Sequence, residues 1–190
     1  MSPSPEPTTA PRSRYSMGSG ANMARSLFVV LLLIAGLIAI VPRVGEVRQP
    51  AVDAASVVAY AVKESGTSLL FPADLPAGWT ATSARFSASI DRLPTWQAGW
   101  TTPSGQFVSI KQAQGAGAGW LRVATIDATV TGTVDVGGRT WEVRTDDRGQ
   151  IHLVALSADR MTTVISSTTP TDAPELRTFI ERLTPAAPAG

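Results

Sequence analysis

From Leu27 to Val41, fifteen consecutive positions carry no polar side chain. At ~1.5 Å rise per residue, a helix over this run spans roughly 23 Å, short of a hydrocarbon core of about 30 Å. Met23, Ala24, Pro42 and Val44 extend it, and Arg25 and Arg43 can snorkel at either end. A helix apolar on every face belongs inside a large core or inside a bilayer. The preceding residues argue against a core. Residues 1–24 are dominated by Pro, Ser, Thr and Gly without apolar periodicity, so a disordered tail is expected there.

The run predicts a transmembrane segment over 25–43, ending at Leu27 and Val41. A cleaved signal peptide is the competing reading, but the small-x-small site it needs is poor, because Leu37-Ile38-Ala39 lies within the run and Ala51-Val52-Asp53 is too far downstream. An uncleaved signal anchor is the expectation. Arg12, Arg14 and Arg25 precede the run, and Arg43 and Arg48 follow it, which places the N-terminus in the cytoplasm and the remainder outside.

After a polar stalk over 44–51, the periodicity changes. Val52, Ala55, Val58, Ala59 and Val62 recur at helical spacing, with Asp53 as N-cap and Gly66 as terminator. Strand signals then dominate. Thr80–Ile90 is β-compatible until Leu93-Pro94 breaks it, and Trp96, Ala98 and Trp100 alternate with Gln97, Gly99 and Thr101. Pro103-Ser104-Gly105 turns the chain into a strand over Phe107–Gln112, and Trp120–Ile126 reads as a short helix. Gly137-Gly138 marks a hairpin between 133–136 and 139–144, and strands follow over 151–156 and 161–167. A last helix carries Leu176, Phe179, Ile180 and Leu183 as its apolar stripe, with Asp172 as N-cap and Glu175 closing a capping box. The fold class expected is α+β: an antiparallel sheet of about seven strands, with N- and C-terminal helices packed on it, after one transmembrane helix. The folded domain is expected over 52–185, with 186–190 a disordered end.

Composition narrows the chemistry. Among 190 residues there is no cysteine and one histidine, which excludes disulfides, thiol catalysis, iron–sulfur clusters and multi-histidine metal sites within the chain. A net charge of +1 gives no electrostatic footprint for nucleic acid. That total divides into Arg12, Arg14 and Arg25 against Glu6 up to residue 42, and 13 basic against 14 acidic groups beyond it. Lysine is scarce, with Lys63 and Lys111 against fourteen arginines.

Candidate chemistry is sparse. His152 lies on the face opposite Ile151 and Leu153, where a lone histidine is solvent-facing or simply hydrogen-bonded. It lacks the Gly-x-Ser-x-Gly elbow of a serine hydrolase. Asp146-Asp147-Arg148-Gly149 lacks the further acidic ligands of a calcium loop and reads as a turn. The Gly115–Gly119 stretch is not followed by the lysine of a phosphate loop. Five tryptophans are more, and Trp96 and Trp100 share a face. They serve a core, or with Trp120 they line a ligand groove.

Together, Leu75-Pro76-Ala77-Gly78-Trp79, Thr82-Ser83-Ala84-Arg85 and Trp100-Thr101-Thr102-Pro103-Ser104-Gly105, behind a single N-terminal span and a helix, resemble the actinobacterial membrane proteins grouped as domain of unknown function 4245. The similarity covers roughly 27–184. It implies a bacterial single-pass membrane protein with an exported α+β domain, and it brings no activity, cofactor or functional residue. The function expected is a non-enzymatic binding or interaction module anchored in the bilayer of the cell envelope. Its partner would be an envelope protein or an apolar ligand, with no nucleic acid, metal or cofactor. A carrier of an apolar envelope ligand and an extracytoplasmic hydrolase built around His152, Asp146 or Asp147 are the alternatives.

Overall fold

A computed structural model describes residues 19–40 and 52–188. The chain divides into two units, residues 1–48 and 49–190.

In the first unit, helix α1 spans Ser19–Ile40. It starts six residues before the expected beginning of the span at Arg25, because once the apolar run nucleates a helix, adding Ala24, Met23 and Ala21 costs little. Its large side chains are exposed on all sides, from Leu27 at 61% through Leu33 at 65% to Ile38 at 71%. Among the described residues no helix is long and apolar enough to cross a membrane. Ser19, Asn22, Arg25 and Ser26 occupy the first turns of α1, and apolar helix from Leu27 to Ile40 measures about 21 Å. Val41, the expected end of the span, and the stalk over 44–51 lie outside the described residues.

The second unit is α+β. Helix α2 (Ala54–Ser65) is capped by Asp53, whose side chain accepts from the Ser56 N–H, and it ends on Gly66 at φ 65°. Its buried residues are Ala54, Val58 and Ala61, with Val57 and Val62 beside them. The stripe is thus rotated from the one expected, and Ala55 faces solvent. After β1 (Leu70–Pro72) come β2 (Thr80–Ile90), β3 (Leu93–Thr101) and β4 (Phe107–Gln114), then α3 (Ala118–Ala124). The strands β5 (Thr129–Val136), β6 (Arg139–Thr145), β7 (Ile151–Leu156) and β8 (Met161–Ser167) precede α4 (Pro174–Glu181) and β9 (Leu183–Pro185).

Seven strands form one antiparallel sheet in the order β2-β3-β4-β8-β7-β6-β5. It consists of two meanders joined where β4 pairs with β8, from Val108↔Ser167 to Gln114↔Met161. Gly137 and Gly138, at φ 60° and 69°, make the expected two-residue hairpin. Leu93-Pro94 does not break the strands. Asp91 and Arg92 take the positive φ values of the turn, and Pro94 sits within β3 at an irregularity of the β2 register, where its missing N–H removes no ladder bond.

One face of the sheet carries Trp96, Ala98, Trp100, Ile110, Leu153 and Ile165 under α2, α4 and a ribbon formed by β1 and β9. Trp100 meets Phe179 of α4 edge-on at 5.1 Å, and Trp79 stacks on the same ring at 5.8 Å. Leu183 belongs to β9, not to the helix. Asp172 does not cap α4, whose N-cap is Ala173, and Glu175 reaches instead across to the β3–β4 turn. It accepts from the Ser104 N–H at 3.0 Å and from its hydroxyl at 2.5 Å, a partner far away in sequence that competes successfully with the local capping box. The C-terminal stretch is anchored as far as Ala186, whose N–H donates to Leu69 O at 2.8 Å, while residues 189–190 lie outside the described residues.

Candidate functional site

The opposite face of the sheet is polar, and strand register sets its order. One row runs Arg85, Gln97, Lys111, Val164 across β2, β3, β4 and β8. The next runs Ser83, Gly99, Ser109, Ser166, His152, Arg144, reaching β7 and β6. Helix α3 covers one end of this face. Trp120 is fully buried there with Ala113, Ala124 and Val164, and its indole N–H donates to Thr95 Oγ1 at 3.0 Å. Beyond α3 the face opens into a trough of about 470 Å³, a size ordinary for small-ligand sites.

The trough is cationic. Arg85, Gln97, Ser109, Lys111 and Ser166 line it, Phe107 and Ile126 form apolar walls, and no carboxylate residue is among its lining. Gly99 makes room for the Phe107 ring, since a Cβ there would stand 2.6 Å from the ring carbon Cζ. Ile126 is held at φ 54°, a left-handed conformation that is costly for a β-branched residue. Lys111 donates to Ala124 O at 2.9 Å, at the carboxyl end of α3. Burial lowers its pKa, and the guanidinium of Arg85 adds to the shift. Arg144 is neutralised by Glu142 at 2.6 Å, whereas neither Lys111 nor Arg85 is in an ion pair among the described residues. The buried Nε2 of Gln97 has no hydrogen-bond partner among the described residues.

His152 lies beneath this surface, fully buried and not solvent-facing. Its Nδ1 is 2.8 Å from Ser166 Oγ, and its Nε2 is 3.8 Å from Asp146 Oδ2. Burial lowers its pKa against the opposing pull of Asp146, so the imidazole is neutral at neutral pH. Burial alone would raise the Asp146 carboxyl. The backbone N–H groups of Gln150 and Arg148 on Oδ1, together with His152, outweigh it and hold the group below its ordinary value. Asp146 is therefore the organiser of the 146–150 turn. Chemically, the Ser166–His152–Asp146 line places a neutral imidazole nitrogen where it can accept the serine proton, but the serine is only 4% exposed.

The tryptophans expected to line a groove are in the interior. Trp96, Trp100 and Trp120 are 0%, 4% and 0% exposed. Trp96 and Trp100 share the helix-covered face, while Trp120 packs on the other, so the sheet separates them. None of the three lines the trough. Sequence reasoning missed Lys111, Arg85, Gln97 and Ser166. One signal was available: Lys111, one of two lysines, falls mid-strand on the same alternation as Phe107 and Ser109, opposite Ile110.

Among family models, residues 16–183 match one described as Protein of unknown function (DUF4245). None of the curated proteins compared with the chain matches it.

Proposed function

The chain belongs to the DUF4245 family, and from that premise we propose that it is a membrane-anchored, extracytoplasmic binding module of a bacterial cell envelope without catalytic activity. The observation that carries this is α1, whose large apolar side chains from Leu27 to Ile38 are all exposed. Such a surface is stable only when something apolar surrounds it. With Val41, Pro42 and Val44 added to the run from Leu27, the apolar length approaches a bilayer core. The arginines before the run set the N-terminus inside, which leaves residues from about 52 outside. The second unit supplies a rigid sheet whose polar face is open over the trough.

The test is extraction and topology. The full chain should stay with membranes in alkaline carbonate and leave only with detergent. A reporter fused after Pro50 should be active only outside the cytoplasm. Release by carbonate or cytoplasmic reporter activity would overturn the reading. As an apolar-ligand carrier the protein would need a groove at Trp96, Trp100 or Trp120, and their burial weighs against that use. The hydrolase reading is favoured by one observation, the alignment of Ser166, His152 and Asp146. It requires covalent labelling of Ser166 by a fluorophosphonate, lost in Ser166→Ala.

A further inference from the structure

We propose that the trough on the polar face binds a small ligand through an anionic head, a phosphate or carboxylate, held between Lys111 and Arg85. This names the ligand class of the binding module above and rests on that reading.

Charge is the first argument. Two cations border one concavity whose lining has no acidic residue, and the guanidinium of Arg85 adds to the burial that lowers the Lys111 pKa. Lys111 is half-buried, and an anion between it and Arg85 would offset the cost of holding a cation there without a counter-ion. Hydrogen-bonding capacity is the second. An ammonium has three donors, and Lys111 uses one on Ala124 O. The fork of Arg85 matches a planar carboxylate or two phosphate oxygens. Gln97 sits between them in register, Arg85↔Gln97↔Lys111, and its Nε2 is a buried donor with no partner among the described residues. Leaving such a group unsatisfied is costly, and a ligand oxygen would relieve it. Three donor-bearing side chains therefore stand side by side on adjacent strands. The hydroxyls of Ser109 and Ser166 continue the polar floor on the neighbouring row.

Shape is the third argument. Phe107 and Ile126, 39% and 51% exposed, wall the trough with apolar surface. A head group at Lys111 would leave a short apolar or glycerol-like body against these walls.

The test uses full-length protein in detergent, titrated calorimetrically with inorganic phosphate, glycerol 3-phosphate and hexanoate. Binding of at least one is expected, weakened tenfold or more by Lys111→Met and by Arg85→Gln, and unchanged by Arg139→Gln, which lies outside the trough. Arg85 is exposed, so its replacement leaves the fold intact even if Lys111→Met does not. Glycerol 3-phosphate binding tenfold tighter than phosphate would identify a lipid head group as the source, and equal binding a free anion. Wild-type protein that binds none of the three probes would overturn the proposal, as would an Arg85→Gln variant that binds like wild type or an equal loss in Arg139→Gln. A chain that stays in carbonate-washed membranes yet binds no anion would leave the anchored module standing and sink only this inference.

Discussion

Gln112 holds Leu70 from both sides: its Nε2 donates to Leu70 O at 2.9 Å, and its Oε1 accepts from Leu70 N at 2.8 Å. A fully buried side chain of β4 thus substitutes for a strand neighbour and ties the β1–β9 ribbon to the main sheet. Gln112→Ala strands two backbone groups and leaves a hole, so a loss of about 2–4 kcal/mol is expected. Gln112→Glu should also destabilise, because it removes the donor and buries a charge. Urea denaturation of the second unit measures both, and a change under about 0.5 kcal/mol in either would contradict the clamp.

Acid should loosen the domain through the buried His152–Asp146 pair. Burial favours the neutral imidazole, so the unfolded chain takes up the proton first as pH falls through about 6.5. Stability is full above that pH and declines below it. Asp146, with a lowered folded pKa, contributes stability above the ordinary carboxylate range and loses it as pH falls further, through its folded value. Denaturation midpoints between pH 7.5 and 5.5 should fall in the wild type and fall less in His152→Asn. Equal slopes would remove His152 as the cause.

Thr95 relays a buried hydrogen bond, accepting from Trp120 Nε1 at 3.0 Å and donating to Leu93 O at 2.9 Å. Thr95→Val keeps the volume and orphans the indole N–H, a loss of about 1–3 kcal/mol. In a Trp120→Phe background the same replacement should cost clearly less, since no indole remains to satisfy. A double-mutant cycle with no coupling would show that the contact carries no stability.

Gly137 and Gly138 share positive φ but not surroundings. A Cβ at Gly137 would lie 3.1 Å from Ile180 Cγ2 and 3.2 Å from its carbonyl oxygen, whereas none of the neighbours of Gly138 is within 4 Å. Gly138→Ala should cost about 1 kcal/mol of backbone strain, and Gly137→Ala about 2–3 kcal/mol because α4 must also shift. Equal midpoint shifts in the two variants would refute the contact.

Local signals were legible. Asp53 and Gly66 bound α2, Gly137-Gly138 turns β5 into β6, and β-rich runs set off by turns give β7 and β8 at their observed ends. What failed depended on partners distant in sequence. Glu175 left its local cap for Ser104, Leu183 left the helix for β1, and Pro94 was absorbed at a register shift. The trough was hidden for the same reason. Arg85, Gln97 and Lys111 are ordinary polar residues on separate strands, and only the order β2-β3-β4-β8 makes them one surface. The tryptophans, numerous for the domain, supply core volume and not a groove.

The joint between β4 and β8 also governs how the chain folds. Each meander closes with short turns and forms quickly, but pairing β4 with β8 must first bring together strands separated by residues 115–160. Until that closure, each half presents an unpaired central edge, with Ile110 on one and Ile165 on the other. The interval before these edges meet is when two copies are most prone to pair with each other, and its length is set by loop closure instead of by the strength of the finished sheet.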